Sequence, residues 1–374
     1  MTDDTPTLEL IELAGTPRRM GEAFGETCRE PTHELYDRRL RAAIDYARFH
    51  GQRDFDADQI LALARRCLPI TEQYDPVGYE EFLGIARGAA LTPEQLYVTQ
   101  GLTDLRDVLA FSDAADPHAN VPDDPDAEGC SAFVAAADSA ENGHLLIGQT
   151  WDLATDNMPY VRLVHRRPDD APETISLTLT GCLSLIGLNG EGLATGNTNL
   201  RTRDARLGVQ YLSILHRALR CRTIEEAEPC ITDAPRAAAH YYYLADATDR
   251  AVGLECSATR CRRRPVERGI FAHCNHALTD PVRELEAPIT YDSTTFRQQR
   301  LTELMENHRA PLGIDHLQRL LADREGGDRA INRYSSPPFD ISTNAAVIMS
   351  PATRELHACR AQPDRGQWRT IRLS

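Results

Sequence analysis

Apolar residues recur at helical spacing through the first third of the chain. In PTHELYDRRLRAAIDYARFH (31–50), Leu35, Leu40, Ile44 and Phe49 fall at roughly helical intervals, which predicts a helix with one face turned to a core. DADQILALARRCLPITEQY (56–74) continues the pattern. LTPEQLYVTQGLTDLRDVLAF (91–111) opens with Thr92 as N-cap, Pro93 at the first helical position and Gln95 closing a capping box. Residues 1–110 therefore read as mostly helical, and core packing alone explains these stripes. From Asp113 the periodicity stops. SDAADPHANVPDDPDAEG (112–129) is rich in proline and aspartate and has almost nothing to bury, the composition of a loop or linker.

Beyond it the texture changes to short apolar runs. CSAFVAAAD (130–138) and HLLIGQTWD (144–152) flank the turn signal SAENG (139–143) and predict a hairpin. YVRLVHR, TISLTLT, LSLIGLN and EGLATGN follow at short spacing, as strands of an antiparallel sheet. LGVQYLSILHRALRC (207–221) and TIEEAEPCIT (223–232), the latter capped by Thr223 with Glu226, predict helices. HYYYLADA, AVGLECS and GIFAHCNHAL return to strands. STTFRQQRLTELMENH (293–308) and IDHLQRLLADRE (314–325) are helical, and NAAVIMSP, ELHACRA and WRTIRLS close the chain as strands. Strands and helices that alternate in blocks imply α+β layers rather than βαβ units.

Charge sharpens the division at the linker. The net charge is −15, of which residues 1–129, with 26 acidic residues against 12 arginines, carry −14. The acidic first segment argues against nucleic acid, which demands a basic footprint. The one basic run, RCRRRP (260–265), reads as a solvated turn beside a strand. No apolar run approaches the ~18 residues of a membrane span, and MTDDTPTLEL is acidic where a secretory signal is basic. The expected setting is the cytoplasm.

All 41 basic residues are arginine. Without lysine there is no Schiff base, no P-loop lysine and no Ser-Lys dyad. Cys, Ser, Thr and carboxylates remain as nucleophiles. The ten cysteines are scattered along a long chain, so no disulfide framework is expected. CSATRC (256–261) lacks a second pair at a zinc-like distance. HCNH (273–276) reads as alternating residues at a strand end, His273 and Asn275 facing one way and Cys274 and His276 the other. Neither metal nor cofactor is expected.

Cys130 differs from the other cysteines in its frame. It follows Gly129, which permits close backbone approach, and the acidic linker precedes it. Cleavage of the Gly129–Cys130 bond would leave a cysteine with a free α-amine, whose ordinary pKa of ~7.7–8.0 suits a base. That amine can take the thiol proton without a histidine, and its attachment to the nucleophile guarantees proximity.

Several stretches resemble, in order, the isopenicillin N acyltransferase (acyl-coenzyme A:6-aminopenicillanic acid acyltransferase) family of self-processing N-terminal nucleophile hydrolases. They are GTPRRMGEAFGE (15–26), GIARGAALTPEQLY (84–97), GCSAF at the processing site, GQTWD (148–152) with Thr150 in place of Asn, GLNGEGLATGNTNL (187–200) and HCNHAL (273–278). The resemblance implies a four-layer αββα sandwich. Residues 1–129 become a helical small fragment and 130–374 the catalytic fragment, and the two stay associated after cleavage. It implies Cys130 as nucleophile, Asp152 beside the new ammonium and Asn275 as oxyanion donor, with Trp151, Asn197, His276 and Arg333 toward the substrate. In place of the family's late Ser-Arg pair the chain reads FDISTNAAVIM. Arg333, slightly upstream, is the arginine that could substitute for it.

The expected activity is hydrolysis of a linear amide in a small molecule through a Cys130 acyl-enzyme. N-acyl transfer from a thioester, and a binding protein without chemistry, stay open as alternatives, as does homo-oligomerisation.

Overall fold

The computed structural model describes residues 7–112, 129–289, 292–308, 310–337 and 340–374. Of the linker expected at 112–129, residues 113–128 lie outside the described residues, and Gly129 begins a strand. The chain begins with strand β1 (Leu10–Gly15) and helices α1 (Pro17–Thr27), α2 (Arg29–Gly51), α3 (Ala57–Tyr74), α4 (Pro76–Ala89) and α5 (Pro93–Phe111). Then come β2 (Gly129–Ala135), β3 (Leu146–Ala154), β4 (Val161–Pro168), β5 (Thr174–Leu179), β6 (Ile186–Asn189) and β7 (Ala194–Asn199). Helices α6 (Tyr211–Leu219) and α7 (Ile224–Thr232) precede β8 (His240–Ala245), β9 (Ala251–Cys256), β10 (Cys261–Val266) and β11 (Ile270–His273). The rest is α8 (Asp280–Arg283), α9 (Ser293–Glu306), α10 (Ile314–Leu321), β12 (Ile341–Ser350), β13 (Glu355–Arg360) and β14 (Arg369–Arg372).

The strands form two sheets, ordered β1-β4-β5-β6-β7-β8-β9-β10 and β11-β2-β3-β12-β13-β14. Helices α1, α6 and α7 lie on the outer face of the first, with α2–α5 packed around them, and α9 and α10 lie on the outer face of the second. The sheets face each other through β2 against β7 and β12 and β13 against β6. This is the four-layer αββα sandwich. A sheet covered on both faces must bury both sides of its strands, and β5, β6, β8, β9 and β12 are buried along their whole lengths. Gln149 of β3 ties the layers together, its Oε1 accepting from Tyr243 Oη at 2.8 Å and Asn197 N at 3.2 Å.

The first segment is mostly helical, as expected, but LIELAG forms a strand, β1, that pairs in parallel with β4. Six residues with alternating burial are too short to stand out beside long helices. RCRRRP is not a turn. It contributes most of β10, the edge strand, paired to β9 on one side only, and its exposed arginines discourage further strand pairing.

The Gly-rich stretches of the first segment are packing devices. A Cβ on Gly21 or Gly25 of α1 would lie 2.1 Å from Glu81 O or 2.3 Å from Ile85 O. A Cβ on Gly84 or Gly88 of α4 would lie 2.3 Å from Arg18 O or 2.1 Å from Glu22 O. The two helices therefore cross backbone to backbone. The caps follow the sequence, with Thr92 and Gln95 forming the capping box of α5 and Thr223 accepting from Glu226 N at the start of α7. No helix of the described residues is long and apolar enough to cross a membrane.

Candidate active site

The β2–β3 hairpin sets the first contacts. Its register places Gly129 opposite Asp152 and Cys130 opposite Trp151. A side chain at position 129 would meet the carboxylate, since a Cβ there would lie 2.8 Å from Asp152 Oδ2 and 3.2 Å from Arg297 Nη2. Gly129 is thus required by the close approach of an aspartate and an arginine to the Gly129–Cys130 peptide. Cys130 is 6% exposed and packs with Trp151 in the main core.

Asn275 reaches the same peptide from beyond β11. Its Oδ1 accepts from Cys130 N at 2.8 Å and from Arg297 Nη2 at 2.9 Å, while its Nδ2 donates to Asn199 O at 3.0 Å. Two donors on one atom and a carbonyl on the other fix the amide's orientation. Asn275 therefore turns its oxygen toward the Cys130 nitrogen. The expected strand alternation does not reach it, because β11 ends at His273 and residues 275–276 form a bend. That bend, held by Asn275 N donating to Thr294 Oγ1 at 2.7 Å, aims the side chain.

Arg297 is the residue that the sequence reading missed. It is fully buried on α9, and its Nη1 donates to Cys130 O at 2.5 Å and Ser131 Oγ at 3.1 Å. Its Nε donates to Ser293 Oγ at 3.2 Å. The signal was present in the spacing, since Ser293, Arg297, Leu301 and Met305 recur every four residues and all four are buried. An arginine on the core-facing stripe of an amphipathic helix needs an anionic or carbonyl partner.

Asp152 is fully buried. Its Oδ1 accepts from Thr343 Oγ1 at 2.7 Å, and its Oδ2 makes no hydrogen bond among the described residues. Burial pushes the carboxyl's pKa up, against the pull of Arg297, then Arg333, then the Thr343 hydrogen bond. Arg333 thus acts on the site although FDISTNAAVIM carries no arginine. Its backbone N donates to Thr343 Oγ1 at 2.9 Å and its carbonyl accepts from Thr343 N at 3.0 Å. Thr343 therefore links Arg333 to Asp152.

The remaining candidates spread out. Asn197 is buried on β7, and its Nδ2 lies 3.0 Å from His240 Nδ1. His240 Nε2 in turn lies 2.6 Å from Asp104 Oδ1. His276 turns its Nδ1 to Thr294 Oγ1 at 2.9 Å, and burial lowers its pKa to about 4. His273 stacks on Tyr241 and lies 3.2 Å from Glu255 Oε2. No three His, Cys, Asp or Glu among the described residues are grouped to hold a metal. A cavity of about 700 Å³ lies elsewhere, under α1, α4 and α6.

The model of the Acyl-coenzyme A:6-aminopenicillanic acid acyl-transferase family matches residues 139–365. The chain belongs to this family. The matched span includes Asp152, Asn197, Asn275, Arg297 and Arg333 and begins after the Gly129–Cys130 bond. The chain is 26% identical over 275 residues to the acyl-coenzyme A:6-aminopenicillanic-acid-acyltransferase 40 kDa form of Emericella nidulans, covering 72% of this chain and 69% of that protein. Among solved structures it is similar to a variant of conjugated bile acid hydrolase from Clostridium perfringens, at 9% identity and TM-score 0.45 over 65% of this chain and 92% of that one. It is also similar to penicillin V acylase from Agrobacterium tumefaciens, at 13% identity and TM-score 0.43 over 65% and 86%.

Proposed function

We propose that the chain cuts its own Gly129–Cys130 bond and then hydrolyses a linear amide in a small molecule through Cys130. One observation carries the reading: Cys130 N, Asn275 Oδ1 and Arg297 converge on a peptide whose glycine lies against the buried Asp152. After the cut, Cys130 N becomes an amine, and Asn275 Oδ1 and the Asp152 carboxylate are the acceptors at hand. The amine takes the thiol proton, and the thiolate attacks the amide carbon. The carbon–nitrogen bond then breaks, and the leaving nitrogen takes the proton back from the ammonium. Water attacks the thioester and restores the thiol. The second Nδ2 hydrogen of Asn275 is the proposed oxyanion donor, and Asn197 Nδ2 is a second candidate for that role.

The relative's name favours a second reading, in which an amine rather than water receives the acyl group. The test is intact-mass analysis of the purified chain, followed by incubation with a panel of small linear amides, with and without added primary amines. We expect two fragments, the larger beginning Cys-Ser-Ala-Phe, and acid product from at least one amide. Amide exchange in preference to hydrolysis would replace the hydrolase with the transferase. A chain that stays whole and turns nothing over would leave a binding protein. In Cys130→Ala both cleavage and turnover should disappear, whereas Cys256→Ala should still be cut. Turnover retained by Cys130→Ala overturns the proposal.

A further inference from the structure

The cavity of about 700 Å³ lies on the helix side of the eight-stranded sheet and shares no lining residue with the Cys130 site. Its volume is in the range of small-molecule sites. The walls are apolar, from Pro17, Met20, Pro76, Val77, Pro168 and Ala171. Val77, at the lip, is 53% exposed and is the one large hydrophobic side chain so exposed among the described residues.

The floor is polar and almost fully buried. Arg166 Nε donates to Glu81 Oε1 at 2.7 Å, and its Nη1 donates to Ser176 Oγ at 3.2 Å. Its Nη2 is buried and makes no hydrogen bond among the described residues. Ser184 Oγ lies 3.0 Å from His216 Nδ1, and His216 Nε2 lies 3.4 Å from Glu81 Oε2. Burial lowers the His216 pKa, so the ring is neutral at pH 7, while Glu81 stays ionised, its pKa pushed up by burial but held at about 2 by Arg166 and His216. His216 Nε2 makes no hydrogen bond among the described residues but faces the carboxylate, so the single ring proton is best placed there, with Nδ1 accepting from the Ser184 hydroxyl. That leaves the Ser184 oxygen free to accept and an Arg166 N–H free to donate, on two residues that both line the cavity.

A ligand head that satisfies both must carry an acceptor and a donor. It must also be uncharged, because Glu81 already balances Arg166 and another buried anion would have no partner. The rim repeats the preference. Arg18 is paired to Glu80 and Arg220 to Asp75, whereas Asp169 and Asp170 are exposed without ion-pair partners among the described residues. We propose that this cavity is a second ligand site, for an apolar molecule with a carboxamide head, its carbonyl on Arg166 Nη2 and its N–H on Ser184 Oγ. The proposal is independent of the reading of Cys130.

The test is calorimetric titration of the full-length Cys130→Ala chain, which removes turnover, with phenylbutanamide and with phenylbutanoate. We expect the amide to bind and the carboxylate to bind about tenfold more weakly or worse, the worth of one hydrogen bond to a charged group. Ala171→Trp, which fills the mouth, should weaken the amide by about tenfold or more. Val77→Trp at the exposed lip serves the same purpose if the first variant folds poorly. No heat from the amide, equal or tighter binding of the carboxylate, or unchanged affinity in a folded mouth variant would each overturn the proposal.

Discussion

Asn275 makes separate contacts through its two side-chain atoms, Oδ1 with Cys130 N and Arg297 and Nδ2 with Asn199 O, and substitutions can separate the roles proposed for them. Asn275→Ala removes both, and in cleaved protein kcat should fall by about 10²–10³, the loss expected for one oxyanion donor. Asn275→Asp keeps Oδ1 for Cys130 N and Arg297 but removes the Nδ2 donor. It should retain cleavage while losing most of kcat, whereas full activity in Asn275→Asp would take the amide nitrogen out of the chemistry. Asp152→Asn keeps the shape and removes the charge. An anion beside an ammonium favours the charged form, so its loss should lower the amine's pKa. Because the neutral amine is the proposed base, the acid limb of the kcat/KM profile should then move to lower pH, along with a fall in kcat. An unshifted limb in mass-verified, cleaved protein would separate Asp152 from the amine. That Cys130, Asp152 and Asn275 are worth considering together was legible because each stands in a short distinctive stretch, and the structure brings them to one peptide. Arg297 was not, because STTFRQQR resembles any polar helix until Leu301 and Met305 show which face is buried.

The close crossing of α1 and α4 is the clearest case of an element built for packing rather than chemistry. MGEAFGE and GIARG contributed to the resemblance, yet their glycines exist so that two helix backbones can touch. Backbone atoms cannot swing aside as a side-chain tip can. Gly88→Ala, with a Cβ 2.1 Å from Glu22 O, should therefore destabilise the protein by at least the ~1–3 kcal/mol typical of overpacking. Chemical denaturation should show a lower midpoint, and an unchanged midpoint would mean that the two backbones can part without cost. The long helices of the first segment were legible from period and caps. Strand order was not, because strands buried on both faces lose the alternation that marks a half-exposed strand. β1 was missed for a related reason: its partner β4 lies about 150 residues further on.

Across the whole molecule, the proposed cut would divide a shared core. The first segment supplies β1 and α1–α5, and β1 pairs along its length with β4 from the second. Asp104 accepts from Tyr211 N at 2.7 Å and bonds His240, and Arg369 Nη1 donates to Leu8 O at 3.2 Å, both across the division. The net charges of the segments, −14 and −1, offer no long-range attraction, so the association rests on buried contacts that salt screens poorly. The cleaved fragments should therefore co-elute in size-exclusion chromatography at high salt and separate only in denaturant or acid. Acid acts in part through Glu81, which bonds Arg166 across the division. With its folded pKa held at about 2, below an unfolded value of ~4.3, Glu81 contributes stability that is fully present above the unfolded pKa. That contribution is lost as pH falls from about 4 to about 2. Glu81→Gln leaves Arg166 buried without its counter-charge and should cost ~3–5 kcal/mol at neutral pH. The same change should make the acid dependence of stability shallower between those pH values. Fragments that part in salt alone, or a Glu81→Gln protein with an unchanged acid profile, would show that this ion pair does not hold the two segments together.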